Sequence, residues 1–151
     1  MYQRILVPLD GSETAQRGLT EALGLARNLR ASLQLLHVVT DLQWLVDPMM
    51  LGDPQALRQE LHRFGEDLLA KAAKVCEAGG VVAQTRMRDA AGTGPGQAIV
   101  AEVGTSGCDL VVMGTHGRRG VGRMLLGSDA SVVVSASPVP VLLVRRDAAR
   151  A

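Results

Sequence analysis

The sequence predicts a single α/β domain built on an open, five-stranded parallel sheet with helices on both faces. Three observations predict it. Five short apolar runs alternate with four stretches of helical periodicity, giving the order βαβαβαβαβ. The fourth run, Leu110-Val111-Val112-Met113, is unbroken by polar residues, as a strand buried on both faces must be. The length, 151 residues, is that of one domain, and it allows roughly 70 % of the unfolded surface to be buried without disulfides or metal.

Arg4–Leu9 is the first strand, and Ser12 is placed to cap a helix that carries Leu19, Leu23, Ala26 and Leu29 on one side. Ser32–Val39 is the second strand. Asp41–Asp53, with Pro48, Gly52 and the lone Trp44, has no regular pattern. Pro54 suits the first turn of a long helix whose Leu57, Leu61, Phe64, Leu68, Ala72 and Val75 form its inward stripe, and Gly79-Gly80 stops it. Val81–Arg88 is the third strand, Ala90–Gly96 a glycine-rich loop, and Gln97–Thr105 a helix with Ile99, Val100 and Val103 inward. Asp109–Met113 is the fourth strand, Ser128–Ala136 the last helix and Val139–Val144 the last strand. Pro138 and Pro140 put that strand at an edge, because proline cannot donate to a ladder. Residues 1–146 form the domain, and 147–151 are a flexible tail.

Composition removes several classes of function. Sixteen basic and fifteen acidic residues leave a formal charge of +1, which gives no field for nucleic acid. No apolar run reaches the ~18 residues of a membrane span, and the start has no charged region leading into a long apolar stretch. Two cysteines, Cys76 and Cys108, read as reduced thiols, so the expected location is the cytoplasm. His37, His62 and His116 have no metal-ligand spacing with each other or with the cysteines, so no protein-built metal site is expected.

In an open parallel sheet, ligands bind beyond the carboxyl ends of the strands where the strand order reverses. Two such ends carry unusual residues. Pro8-Leu9-Asp10-Gly11-Ser12 follows the first strand, and Met113-Gly114-Thr115-His116-Gly117 follows the fourth, so these two strands are expected to be neighbours. Gly114 and Gly117 would let the backbone approach a ribose or phosphate, and Gly127-Ser128 opens the last helix with amides and a hydroxyl. The other reading of these glycines is a long turn with Ser128 as a cap. Asp10 likewise reads either as a turn and cap residue or as a carboxylate that accepts from adenine or ribose.

Other chemistry fits poorly. The only lysines, Lys71 and Lys74, lie in the long helix, which excludes a Walker-type loop. Gly120-Val121-Gly122-Arg123-Met124-Leu125 has leucine where a dinucleotide fingerprint needs glycine or alanine. Ser12 and Ser128 lack a nucleophile's context and read as caps.

Three segments together resemble the universal stress protein family in its ATP-binding branch. They are Arg4-Ile5-Leu6-Val7-Pro8-Leu9-Asp10-Gly11-Ser12, then Leu36-His37-Val38-Val39, then Gly114 and Gly117 followed after nine residues by Gly127-Ser128. The resemblance runs from about residue 2 to 145. It implies a Rossmann-like fold of the adenine nucleotide alpha hydrolase type, with strand order 3-2-1-4-5, and homodimers joined through Val139–Val144.

The resemblance also implies a site for ATP, ADP or AMP, with Mg²⁺ or Mn²⁺ sharing the phosphate charge. By position, Pro8, Leu9 and Asp10 would border adenine or ribose, with the backbone of Val38 or Val39 pairing with the adenine edge. Met113 and Gly114 would pack on adenine and ribose. Thr115, His116, Gly117, Arg118, Arg119, Gly120, Gly127, Ser128 and Asp129 would line the phosphate end. Asp129-Ala130-Ser131 departs from the family, which often has an apolar residue, alanine and glutamate there. A carboxylate at Asp129 would repel phosphate unless it faces away or binds the metal.

The function expected is a nucleotide-binding regulatory module of a stress response that needs no reaction. A slow metal-dependent ATPase, with Asp129 or His116 orienting water, and a dimeric scaffold that uses no nucleotide are the alternatives.

Overall fold

The computed structural model describes residues 1–40, 52–90, 92–116 and 126–145. The strands are β1 (Arg4–Pro8), β2 (Ser32–Val39), β3 (Ala83–Asp89), β4 (Leu110–Gly114) and β5 (Val141–Val144). Between them run the helices α1 (Glu13–Leu29), α2 (Pro54–Ala78), α3 (Pro95–Ser106) and α4 (Ser128–Ala136). All strand pairs are parallel, in the order β3-β2-β1-β4-β5.

The winding direction reverses at β1, which pairs with β2 on one side and β4 on the other. Right-handed crossovers then place helices on opposite faces. One core takes Ile5, Val7, Leu33, Leu35, Leu110 and Val112 from the sheet and is roofed by α1 and α2. The other takes Leu6, Leu36, Val111 and Met113 and is roofed by α3 and α4. Alternate residues of one strand feed opposite cores, which is why β1 and β4 read as continuous apolar runs.

Several boundaries move for local reasons. Gly80, at φ +71°, turns the end of α2 so that the Val81 N–H donates to the Cys76 carbonyl at 3.0 Å, and β3 begins two residues later than expected. Gly94, at φ +95°, is the N-cap of α3, and Pro95 takes its first position. Val139 is held in a turn by Ser137, whose hydroxyl lies 3.2 Å from the Val139 N–H, so β5 starts at Val141.

The stripe predicted for α2 is displaced by about one residue. Its buried positions are Gly65, Leu69, Ala72 and Cys76, while Phe64 is 39 % and Val75 45 % exposed. A Cβ on Gly65 would lie 2.5 Å from His37 Cδ2 and 2.8 Å from Met87 Sδ. The helix therefore seats its small residues on the sheet, a face that a count of bulky side chains misses. In α1, Leu23 and Leu29 are only partly buried, and Gly18 and Ala22 share the inner face with Leu19 and Ala26.

A buried polar group stands away from the strand ends. Glu102, 2 % exposed, accepts from Gln34 Nε2 at 2.7 Å and from Arg88 Nε, so both carboxylate oxygens are matched under α3. Burial raises both cysteine thiols above the ordinary range, which removes them as reactive groups.

Candidate functional site

The reversal between β1 and β4 opens a cleft of about 660 Å³ at the carboxyl edge of the sheet. Pro8, Leu9, Asp10, Val38, Val39, Met113, Gly114, Thr115, His116, Gly127, Ser128 and Asp129 all line it. Gly117, Arg118, Arg119 and Gly120 lie outside the described residues, as does Trp44.

On the β1 side, Asp10 Oδ1 accepts from the Ser12 N–H at 2.9 Å, an Asx turn across Gly11 at φ +84°. Ser12 then caps α1 by accepting from the Ala15 N–H at 3.1 Å. Asp10 is thus both a turn residue and part of the cleft wall.

The backbone of β2 separates the two valines. In a parallel strand, the N–H and C=O of one residue point to the same side, and alternate residues point to opposite sides. The Leu36 carbonyl accepts from Leu9 N at 2.7 Å on the β1 side, and the Val39 carbonyl accepts from Ala90 N at 2.9 Å on the β3 side. Val38 therefore turns its N–H and C=O toward β1, whose pairing with β2 has already ended at Pro8 and Leu36. Val38, not Val39, presents a backbone edge to the cleft.

On the β4 side, Thr115 is the anchor. It is 4 % exposed, its N–H donates to the Val144 carbonyl at 2.9 Å, and its carbonyl accepts from Gly127 N at 2.8 Å. The hydroxyl of buried Thr14 donates to the His116 carbonyl and ties this turn to α1. His116 Nδ1 lies 2.9 Å from the Thr115 hydroxyl.

The surroundings of three residues differ from what local pattern suggests, and one of them, Ser128, loses its expected role as a cap. Gly114 lines the cleft, but the side on which it lacks a Cβ is taken up by protein: a Cβ on it would lie 2.8 Å from the Thr14 carbonyl carbon and 2.9 Å from Thr14 Cβ. The first turn of α1 fills that space. Ser128 is not the cap of α4; Gly127 is, without a side-chain cap bond, and Ser128 is the exposed first helical residue. The N–H groups of the first turn of α4 therefore face the cleft rim without a side-chain oxygen of their own cap. Finally, Asp129 is engaged in the protein: its Oδ1 accepts from the Gly96 N–H of α3 at 3.0 Å.

Helices α2 and α3 also contribute to the site, which no motif in the sequence indicates. His37, 3 % exposed, lies with Nδ1 2.7 Å from the Leu9 carbonyl, so Nδ1 is the donor. The Phe64 ring meets His37 edge-on, with centroids 5.8 Å apart, and a Cβ on Gly11 would lie 3.0 Å from its Cζ. Leu61 and Phe64 from α2, and Pro95 and Ile99 from α3, complete the wall. No local pattern marks them, because the crossovers bring them there. Among the described residues, no three His, Cys, Asp or Glu side chains gather to hold a metal, and no helix is long and apolar enough to cross a membrane.

Comparisons with known proteins agree with this architecture. A model of the universal stress protein family matches residues 1–145. A universal stress protein of Methanocaldococcus jannaschii is 32% identical over 146 residues, covering 97% of this chain and 84% of its own. The structure of the universal stress protein UspA from Lactobacillus plantarum superposes with a TM-score of 0.82 at 27% identity, covering 95% of this chain and 98% of that one. An Arabidopsis thaliana protein of the same family, solved with AMP bound, shares the fold at a TM-score of 0.69 and 21% identity, over 97% of this chain and 93% of its own.

Proposed function

Because this chain belongs to the universal stress protein family, we propose that it is an adenine-nucleotide-binding regulatory module of a stress response, whose conformation or partner choice follows nucleotide occupancy. The observation that carries this reading is the single cleft that joins the Asp10 turn, the backbone edge of Val38 and the glycine-capped start of α4. An adenine has a donor and an acceptor on one edge, and Val38 offers the complementary pair. Asp10 is suited to accept from a ribose hydroxyl. The amides at the start of α4 suit a phosphate, as helix N-termini do, and Gly117, Arg118, Arg119 and Gly120 would complete the phosphate end. The AMP-bound Arabidopsis relative indicates that the fold accommodates such a ligand.

A Mg²⁺ or Mn²⁺ ion accompanying a longer phosphate chain would take its ligands mainly from phosphate oxygens and water, as Mg²⁺ commonly does. Asp129 and His116 are both held by neighbours, which favours a reading in which the nucleotide is retained over one in which water is activated.

Isothermal titration calorimetry with AMP, ADP and ATP, with and without Mg²⁺, tests the proposal. Saturable binding of at least one is expected, with no comparable heat from GTP. Absence of binding by all three would remove the reading.

The proposal includes a homodimer formed through 139–144. β5 is an edge strand, Leu142 on it is 39 % exposed, and Val134 on adjacent α4 is 47 % exposed. An uncovered apolar edge is a pairing surface. Light scattering should give twice the chain mass, and a dilution-insensitive monomer would exclude it.

A further inference from the structure

Helices α3 and α4 both begin at the cleft with a glycine N-cap that forms no side-chain cap bond. Asp129 lies in the first turn of α4 yet caps the other helix, accepting from the Gly96 N–H at 3.0 Å. Close packing fixes it there. A Cβ on Gly96 would lie 2.8 Å from Val132 Cβ and 3.1 Å from the Asp129 carbonyl oxygen, so the two helix starts meet in direct contact with no space for a side chain between them. The carboxylate is a built element of the wall that also contains Gly127 and Ser128.

A helix start carries about half a positive charge, and Asp129 sets a full negative charge within its first turn. Asp129 therefore adds, against the attraction of the helix starts, a repulsion on any anion at this end of the cleft that grows with the anion's own charge. A phosphate monoester carries about −1.5 to −2, and a triphosphate carries more, extended along the same wall. The Gly96 bond holds the carboxylate in place against this repulsion.

We infer that Asp129 sets the number of phosphates the cleft accepts and makes it a site for nucleoside monophosphates in preference to triphosphates. This rests on the adenine-nucleotide reading above and adds to it the phosphate count.

The discriminating variant is Asp129→Asn, which keeps an oxygen for the Gly96 N–H and loses only the charge. Calorimetry of the full chain with AMP and with ATP, each with and without Mg²⁺, reads the effect. The wild type is expected to hold AMP more tightly than ATP, and Asp129→Asn to tighten ATP about tenfold while AMP moves less than about twofold. Asp129→Ala, which also gives up the cap, should show the same change in ratio with a lower melting temperature, so the ratio is readable even if one variant folds poorly. In the wild type itself, raising the salt concentration should narrow the preference for AMP, because the repulsion is screened.

An ATP-to-AMP affinity ratio that stays the same in both variants overturns the inference and leaves nucleotide binding intact. Weaker Mg²⁺-dependent ATP binding in Asp129→Asn also overturns it, because the carboxylate would then be a metal ligand. Failure of the wild type to bind either nucleotide overturns both readings together.

Discussion

The dipeptide Gly-Ser opens two helices of this molecule, and the two openings are built differently. At Gly11-Ser12 the glycine precedes the cap at φ +84°, and the serine is the cap, accepting from Ala15 N while Asp10 accepts from Ser12 N. At Gly127-Ser128 the register moves by one: the glycine is the cap at φ −59°, and the serine is already inside the helix. The first start places its own side-chain oxygens on two of its amides, those of Ser12 and Ala15. The second is held in place by Gly127 N on the Thr115 carbonyl and leaves its first-turn amides at the cleft rim. A polar cap makes a helix start part of the scaffold, and a glycine cap makes it a candidate anion site. Helix α3 is an intermediate case, with a glycine cap whose missing oxygen comes from Asp129 of the neighbouring helix.

The largest effects are expected at the glycines that hold the two sides of the cleft together. A Cβ at Gly114 would enter the first turn of α1, within 2.9 Å of three Thr14 atoms, two of them backbone, and those atoms have nowhere to move. Gly114→Ala should cost about 2–3 kcal/mol in urea unfolding. At Gly127 the Cβ would approach only one atom more closely than ordinary van der Waals contact, the Thr115 carbonyl oxygen at 3.0 Å. Gly127→Ala should cost about 1 kcal/mol, mostly by loosening the tie to β4. Equal, small losses at both positions would mean that Gly114 is not a packing glycine and would return it to the ligand.

The same contrast explains what the sequence could and could not reveal. The alternation of strands and helices was legible in the apolar periodicity, the neighbour relation of β1 and β4 in the unusual residues at their carboxyl ends, and the full strand order only through the family resemblance. The one-residue difference between the two Gly-Ser starts was not, since cap position depends on backbone angles that the same two letters permit in either register. The function of Gly114 was hidden for a related reason: its neighbour Thr14 is a hundred positions away in the chain, and only the α1–β4 packing brings them together. That Asp129 carries a charge unfavourable to phosphate can be read from its place at a helix start, but what holds its carboxylate there cannot. Its bond to Gly96 depends on the packing of α3 against α4, which local spacing does not encode. The displaced stripe of α2 follows the same pattern, with His37 and Met87 selecting Gly65 as the contact residue.

The finest test of the comparison substitutes the two serines in turn. Ser12→Ala removes the acceptor for Ala15 N and should cost about 1 kcal/mol, the usual value of a lost N-cap. Ser128→Ala removes a hydroxyl that caps nothing from an exposed first-turn position, and alanine suits a helix at least as well. Its stability should stay within about 0.5 kcal/mol of the wild type. Binding should divide the other way. Ser12→Ala should leave nucleotide affinity nearly unchanged wherever the protein remains folded, while Ser128→Ala should weaken AMP by a few-fold if the hydroxyl adds one hydrogen bond to the phosphate, a contact of about 1 kcal/mol. Paired urea unfolding and calorimetry read both quantities on the same two variants. A stability loss at Ser128 equal to that at Ser12 would show that both serines are caps, and the contrast between a scaffold start and an anion-binding start would disappear.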